Sequence, residues 1–145
     1  MNTERERFQE ILLEHADAPT YHGTIKGAQV LEGRERDSGD YVRLYLNHNT
    51  DTEGLIVQWE AEGSAVFRAS CDLMCEAIEG LSATEAEARA ATLITLLTHP
   101  SDTDDAAWQE LGDAVALRGI QHLPARVRCA VLPWRTLQQG LSRHA

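Results

Sequence analysis

The residue with the clearest chemical potential in this sequence is Cys129. In Leu123-Pro-Ala-Arg-Val-Arg-Cys-Ala-Val-Leu-Pro-Trp134 it follows Arg126 and Arg128 and opens onto apolar residues. The thiolate, not the thiol, is the nucleophile, and adjacent guanidinium charge lowers a thiol pKa, so the pattern suits an activated nucleophile. The bland alternative is a small core hydrophobe, since free cysteine is among the most buried residue types. Cys71 and Cys75 stand at i, i+4, where two side chains share a helix face and can chelate. They read more simply as core fillers. The histidines show no zinc-type spacing among themselves.

The elements that must position Cys129 emerge from periodicity. Pro124 suits a first helical turn, and Val127, Val131, Trp134, Leu137 and Leu141 give a helical apolar stripe. Pro133 within it should kink the helix or confine its regular part to the residues beyond the proline. Residues 3–16 form an amphipathic helix with Phe8, Ile11, Leu12 and His15 on one face and a Thr3/Glu6 capping box. Ala28–Leu31 is a short apolar piece, and the runs 41–47 and 54–61 alternate with period two and pair as an antiparallel hairpin. Val42, Leu44 and Leu46 in the first run, and Leu55, Val57 and Trp59 in the second, face the core. Residues 65–79 switch to a helical stripe of Val66, Ala69, Leu73 and Ala77, with Met74 and Ile78 beside it. Another helix starts at about Thr84, with Glu87 three residues on, and runs to about Thr98. The expected fold is α+β, an antiparallel sheet of about three strands packed on one side by helices, in a single domain spanning 1–145.

Composition narrows the function. A chain of 145 residues buries roughly two thirds of its unfolded surface without disulfide help. Three cysteines, with no CxxC pair, argue against a disulfide framework. No apolar run reaches a membrane span and no signal-peptide core is present, so a cytoplasmic location and no membrane partner are expected. The net charge of −10 argues against nucleic acid as a partner. Residues 1–110 carry 8 basic and 22 acidic side chains, whereas residues 111–145 carry five arginines against Asp113. That asymmetry suits a protein partner, or a basic tail packed on the chain's own acidic face.

Taken together, these segments resemble the iron–sulfur cluster assembly family of SufU, IscU and the amino-terminal domain of NifU, the SufU type most of all. Leu13-Glu-His15 followed by a Pro and a Gly resembles the family's opening. Ser38-Gly-Asp40 stands where the family has Cys-Gly-Asp, and Trp59-Glu-Ala-Glu-Gly-Ser64 with Ala69-Ser70 is similar to its aromatic-x-Gly-x-Gly-Cys and Ala-Ser. Leu111-Gly-Asp113, Leu117-x-Gly119 and Pro124-Ala-Arg-x-x-Cys-Ala-x-Leu-x-Trp134 are similar to the SufU carboxy-terminal pattern, and the long interval from Ser64 to Cys129 also suits SufU.

The resemblance implies a site of three cysteines and an aspartate at the end of the sheet, holding a zinc ion or a nascent cluster, with one cysteine able to take sulfur from a cysteine desulfurase. Position by position these are Ser38, Asp40, Ser64 and Cys129, so two thiols are replaced by hydroxyls. Asp40 and Cys129 remain as partial metal ligands, short of the four that a closed zinc site needs, and no bound cofactor is expected. His22 and His122 are conceivable replacement ligands. Asp40 could instead pair with Arg126 or Arg128, a salt bridge standing in for the metal. The implied partners are a cysteine desulfurase or other assembly proteins, met through Arg126 and Arg128. IscU's chaperone-recognition Leu-Pro-Pro-Val-Lys is here Leu123-Pro-Ala-Arg-Val, which does not support recruitment of that chaperone. Two functions result: an assembly protein with a degenerate ligand site and at most sulfur transfer through Cys129, or an inert pseudo-scaffold acting as adaptor or regulator.

Overall fold

Alternating apolar and polar residues build the sheet. In a computed structural model of the protein, which describes residues 3–143, β1 (Gln29–Arg34), β2 (Tyr41–His48) and β3 (Leu55–Glu62) form an antiparallel meander in that order. β2 and β3 pair from Tyr41 opposite Glu62 to His48 opposite Leu55. Val42, Leu44 and Leu46 of β2, with Leu55, Val57 and Trp59 of β3, point to one buried face as the alternation requires. The other face is polar: Arg43 lies in register with Glu32 and Glu60 and pairs with Glu32 at 3.0 Å. The outer edge of β3 is not bare, because Trp59 donates its backbone N–H to Tyr21 and accepts one from Gly23.

Helices cover the buried face. α1 (Glu4–Asp17) is followed, after the sheet, by α2 (Ala65–Ile78), α3 (Ala83–Thr98), the short α4 (Asp105–Glu110), a 3₁₀ segment (Gly112–Ile120) and α5 (Pro124–Arg143). α2 packs on β3 and α5 on β1 and β2; α1 and the 3₁₀ segment lie against α2, and α3 lies against α5. The fold is therefore α+β, with a three-stranded antiparallel sheet and helices. Among the described residues no helix is long and apolar enough to cross a membrane.

Local chemistry sets the helix ends. Thr3 accepts the Glu6 N–H at 3.2 Å. α3 begins earlier than its sequence pattern suggests: Ser82, not Thr84, is the cap, and Ser82 and Glu85 bond reciprocally at 3.1 Å. α2 is buried over far more than one stripe. Phe67, Ser70, Cys71, Asp72 and Cys75 are inside with Ala69, Leu73, Met74 and Ile78, while Val66 and Ala77 are only half-buried. Elements pack against α2 on several sides, so a one-sided pattern underestimates it.

α5 runs through Pro133 without interruption. The proline's missing N–H deprives the Cys129 carbonyl of its usual helical partner. One residue on, the Ser70 hydroxyl donates to the Ala130 carbonyl at 2.6 Å and accepts the Trp134 indole N–H at 2.9 Å, holding α5 to α2. Further along, Gly140 lets α5 approach β1: a Cβ there would lie 2.2 Å from Leu31 Cδ1 and 2.9 Å from Leu31 Cγ.

Candidate functional site

Three chain segments converge at one end of the sheet. The turn between β1 and β2 supplies Ser38 and Asp40, the junction of β3 and α2 supplies Ser64, and the second turn of α5 supplies Cys129. In the first turn Gly39 donates its N–H to the Glu35 carbonyl at 2.8 Å and Glu35 donates to the Asp40 carbonyl at 2.9 Å. Asp40 is buried at 5% exposure, and Gly63 adjoins it so closely that a Cβ there would sit 2.4 Å from Asp40 Oδ1. Ser38, Asp40 and Cys129 face one another, and Ser64 follows Gly63 at the rim.

Electrostatics at Cys129 run opposite to the sequence expectation. Its pKa is raised, first by burial, then by the neighbouring Asp40 carboxylate, which favours the neutral thiol. The negative charges of Asp40 and Glu35 act the same way, opposed by the nearby Ser38 hydroxyl. Arg126 and Arg128 do not activate the thiol. Both are exposed, and Arg126 stands with Arg5, Leu12 and Leu123 in a groove beside α1. Nor does Asp40 pair with either arginine: among the described residues it makes no ion pair, and its Oδ2 is buried without a hydrogen-bond partner. Glu35, which sequence reasoning passed over, is the second acid acting on the thiol. Its position in the same turn as Ser38 was the available signal.

The donor set does not fit a closed zinc site or a thiolate-held cluster. The Ser38 hydroxyl accepts the Asp40 N–H at 3.2 Å, and the Ser64 hydroxyl caps α2 by accepting the Phe67 N–H at 3.3 Å. What remains is one carboxylate and one thiol held in its neutral form, against four anionic or imidazole donors. The candidate replacements lie elsewhere. His22 packs edge-on against the Trp59 ring at 4.8 Å, and His122 is exposed in the turn before α5. Neither belongs to a metal-ligating group among the described residues. Cys71 and Cys75 are fully buried core residues, their pKa values pushed well up by burial first.

A second polar assembly lies farther along α2. The Asp72 side chain is fully buried and accepts four hydrogen bonds: from His15 Nδ1 at 2.7 Å, Tyr21 N at 2.8 Å, Trp59 Nε1 at 3.0 Å and Thr20 N at 3.2 Å. Burial alone would raise its carboxyl, yet these donors, His15 first, hold it below its ordinary value. His15 is raised in turn, chiefly by its bond to Asp72, against the opposing effect of burial. Periodicity placed His15 on the inner face of α1 but gave no sign of its partner.

Comparison with known proteins decides the family. Residues 7–143 match the NifU-like N-terminal domain. The chain belongs to that family. Its NifU-like relatives include the zinc-dependent sulfurtransferase SufU of Bacillus subtilis, 27% identical over 139 residues that cover 94% of this chain and 90% of that protein. The iron–sulfur cluster assembly scaffold protein IscU of Streptococcus pyogenes serotype M1 is 26% identical over 138 residues, covering 95% of this chain and 84% of that one. Among solved structures, FiSufU of Fervidobacterium islandicum AW-1, assigned as an iron–sulfur cluster assembly scaffold protein for the SUF system, superposes with a TM-score of 0.79. It is 28% identical, and the match covers 91% of this chain and 94% of that one.

Proposed function

We propose that this protein works in iron–sulfur cluster assembly as a sulfur-transfer member of its family, carrying sulfur on Cys129 and holding no closed metal site at Ser38, Asp40 and Ser64. The observation that supports this reading is a half-buried thiol beside the buried Asp40 carboxylate at the position the family uses. Family membership and the SufU and IscU relatives support the pathway. Asp40 takes the Cys129 proton as the sulfur attacks the outer sulfur atom of a persulfide on a donor protein. A new S–S bond forms at Cys129, the donor's S–S bond breaks, and the donor's thiolate leaves and recovers the proton. The exchange needs no external oxidant.

The donor in this reading is a cysteine desulfurase, and the exposed Arg126 and Arg128, one turn or less from Cys129 and in no ion pair among the described residues, meet an acidic surface on it. A reducing, cytoplasmic setting keeps the thiol available. The test is to mix the protein with a desulfurase and cysteine and to weigh the intact chain. One added sulfur on Cys129, absent from Cys129→Ser, is the expected result. A complex with the desulfurase but no added sulfur would overturn transfer in favour of an adaptor.

A further inference from the structure

Among the described residues, one trio of metal-ligating side chains has donor atoms within 4.8 Å of one another: His15, Glu76 and Asp113. We propose that these three form a second site, for a divalent cation of the zinc class, that joins α1, α2 and the 3₁₀ segment. It lies well away from the sulfur site, since Ser64 and Glu76 are separated by about 18 Å along α2 at the helical rise of ~1.5 Å per residue.

The geometry carries the assignment. His15 Nε2 lies 3.6 Å from a Glu76 oxygen and 3.5 Å from an Asp113 oxygen. A charge-assisted N–H···O bond closes to about 2.7–2.9 Å, so both contacts are longer than a fully formed bond. Two ligands of one tetrahedral zinc ion, each ~2.1 Å from the metal, stand about 3.4 Å apart. The observed separations leave room for one ion between the three donors.

The surroundings support the same assignment. His15 is 7% exposed, and its other ring nitrogen, Nδ1, is fixed by Asp72 at 2.7 Å. A carboxylate behind a ligating imidazole sets the tautomer, aims the free nitrogen and raises its basicity. Glu76 and Asp113 come from different elements and crowd each other: after burial, the Asp113 charge is the next cause of the raised Glu76 carboxyl. A divalent ion would neutralise both. Their side chains are 38% and 53% exposed, so a fourth position opens to solvent and takes water. The three donors are one imidazole and two carboxylates, a set suited to zinc or cobalt and lacking the thiolates that softer ions select.

The competing arrangement is an imidazolium that pairs with the two carboxylates and binds no metal. Calorimetry separates the two, using chelator-stripped Cys129→Ser protein, which has no accessible thiol, titrated with zinc chloride. The expected result is one zinc per chain, with affinity lowered at least tenfold when Glu76→Gln or Asp113→Asn is added. Both substituted side chains are partly exposed, and circular dichroism checks that the variants fold. Cobalt in place of zinc should give the visible absorption of a four-coordinate ion without thiolate charge transfer, lost in the same variants. Absence of zinc binding in Cys129→Ser, or binding unchanged by both substitutions, would overturn the assignment. Either result leaves sulfur transfer by Cys129 untouched, because that reaction is measured by mass on the unsubstituted chain.

Discussion

Replacing Asp72 with asparagine tests the polar staple between α1, β3 and α2. One Asp72 oxygen accepts from Tyr21 and Trp59, the other from His15 and Thr20. Asparagine keeps one acceptor oxygen. Its best orientation retains Tyr21 and Trp59 and turns the amide NH₂ toward His15, which must then be neutral to accept. Thr20 N–H is left without a partner, costing about 1–3 kcal/mol, and the charge-assisted bond to His15 is lost. The sum is about 2–4 kcal/mol, less than the ~3–5 kcal/mol of breaking a buried ion pair outright. At about 3 °C per kcal/mol for a chain of this size, Tm falls by about 6–12 °C.

The loss depends on pH with a definite sign. His15 faces Asp72 and Glu76 from α2 and Asp113 from the 3₁₀ segment, and its folded pKa is raised above 6.5. Its contribution is therefore complete below pH 6.5 and fades as pH rises through the folded value. Asp72, lowered from 3.8, contributes above that pH and loses its effect as pH falls through its folded value. Urea unfolding of chelator-treated protein should show the greatest difference between the two forms near pH 5–6 and a smaller one near pH 9. A loss below about 1 kcal/mol at pH 6, or one equal at both pH values, would refute this account of the network.

Three further outcomes are expected from the same contacts. Asp40→Asn removes the nearby carboxylate that raises the Cys129 thiol, so Cys129 alkylation at pH 7.5 should accelerate. Each unit of pKa lowering gives tenfold more thiolate but a less nucleophilic one, so the net gain is about threefold per unit, and an unchanged or slower rate counts against the site description. Gly140→Ala forces Leu31 out of its place between α5 and β1 and should cost about 1–3 kcal/mol in chemical denaturation. Cys71 and Cys75, wholly buried, should resist alkylation in the native protein while Cys129 reacts, and peptide mapping after iodoacetamide treatment tells them apart.

The sheet was legible in the sequence because period-two alternation at Val42, Leu44 and Leu46 reports a single buried face directly. The elements α1, α2 and α5 were legible through apolar spacing and Pro124. Their limits were not always so, since two Ser/Thr residues near the start of α3 each have a glutamate three residues on, and only the path of the chain selects Ser82. The site was harder. Charge in sequence proximity suggested that Arg126 and Arg128 govern Cys129, but helical geometry and a returning turn bring Asp40 and Glu35 to it instead. The Asp72 network joins positions 57 and 13 residues apart in sequence, and no local pattern announces such a pairing.

The bridge from Ser70 to Ala130 and Trp134 spans 60 and 64 residues of chain, and α5 also covers β1, about a hundred residues earlier. A ribosome adding ~5–20 residues per second makes the hairpin and α2 well before the helix that completes their burial. The nascent chain therefore exposes apolar sheet, and it reaches its native packing only after synthesis has passed Gly140. In that interval it is open to chaperones and to association with other unfinished chains.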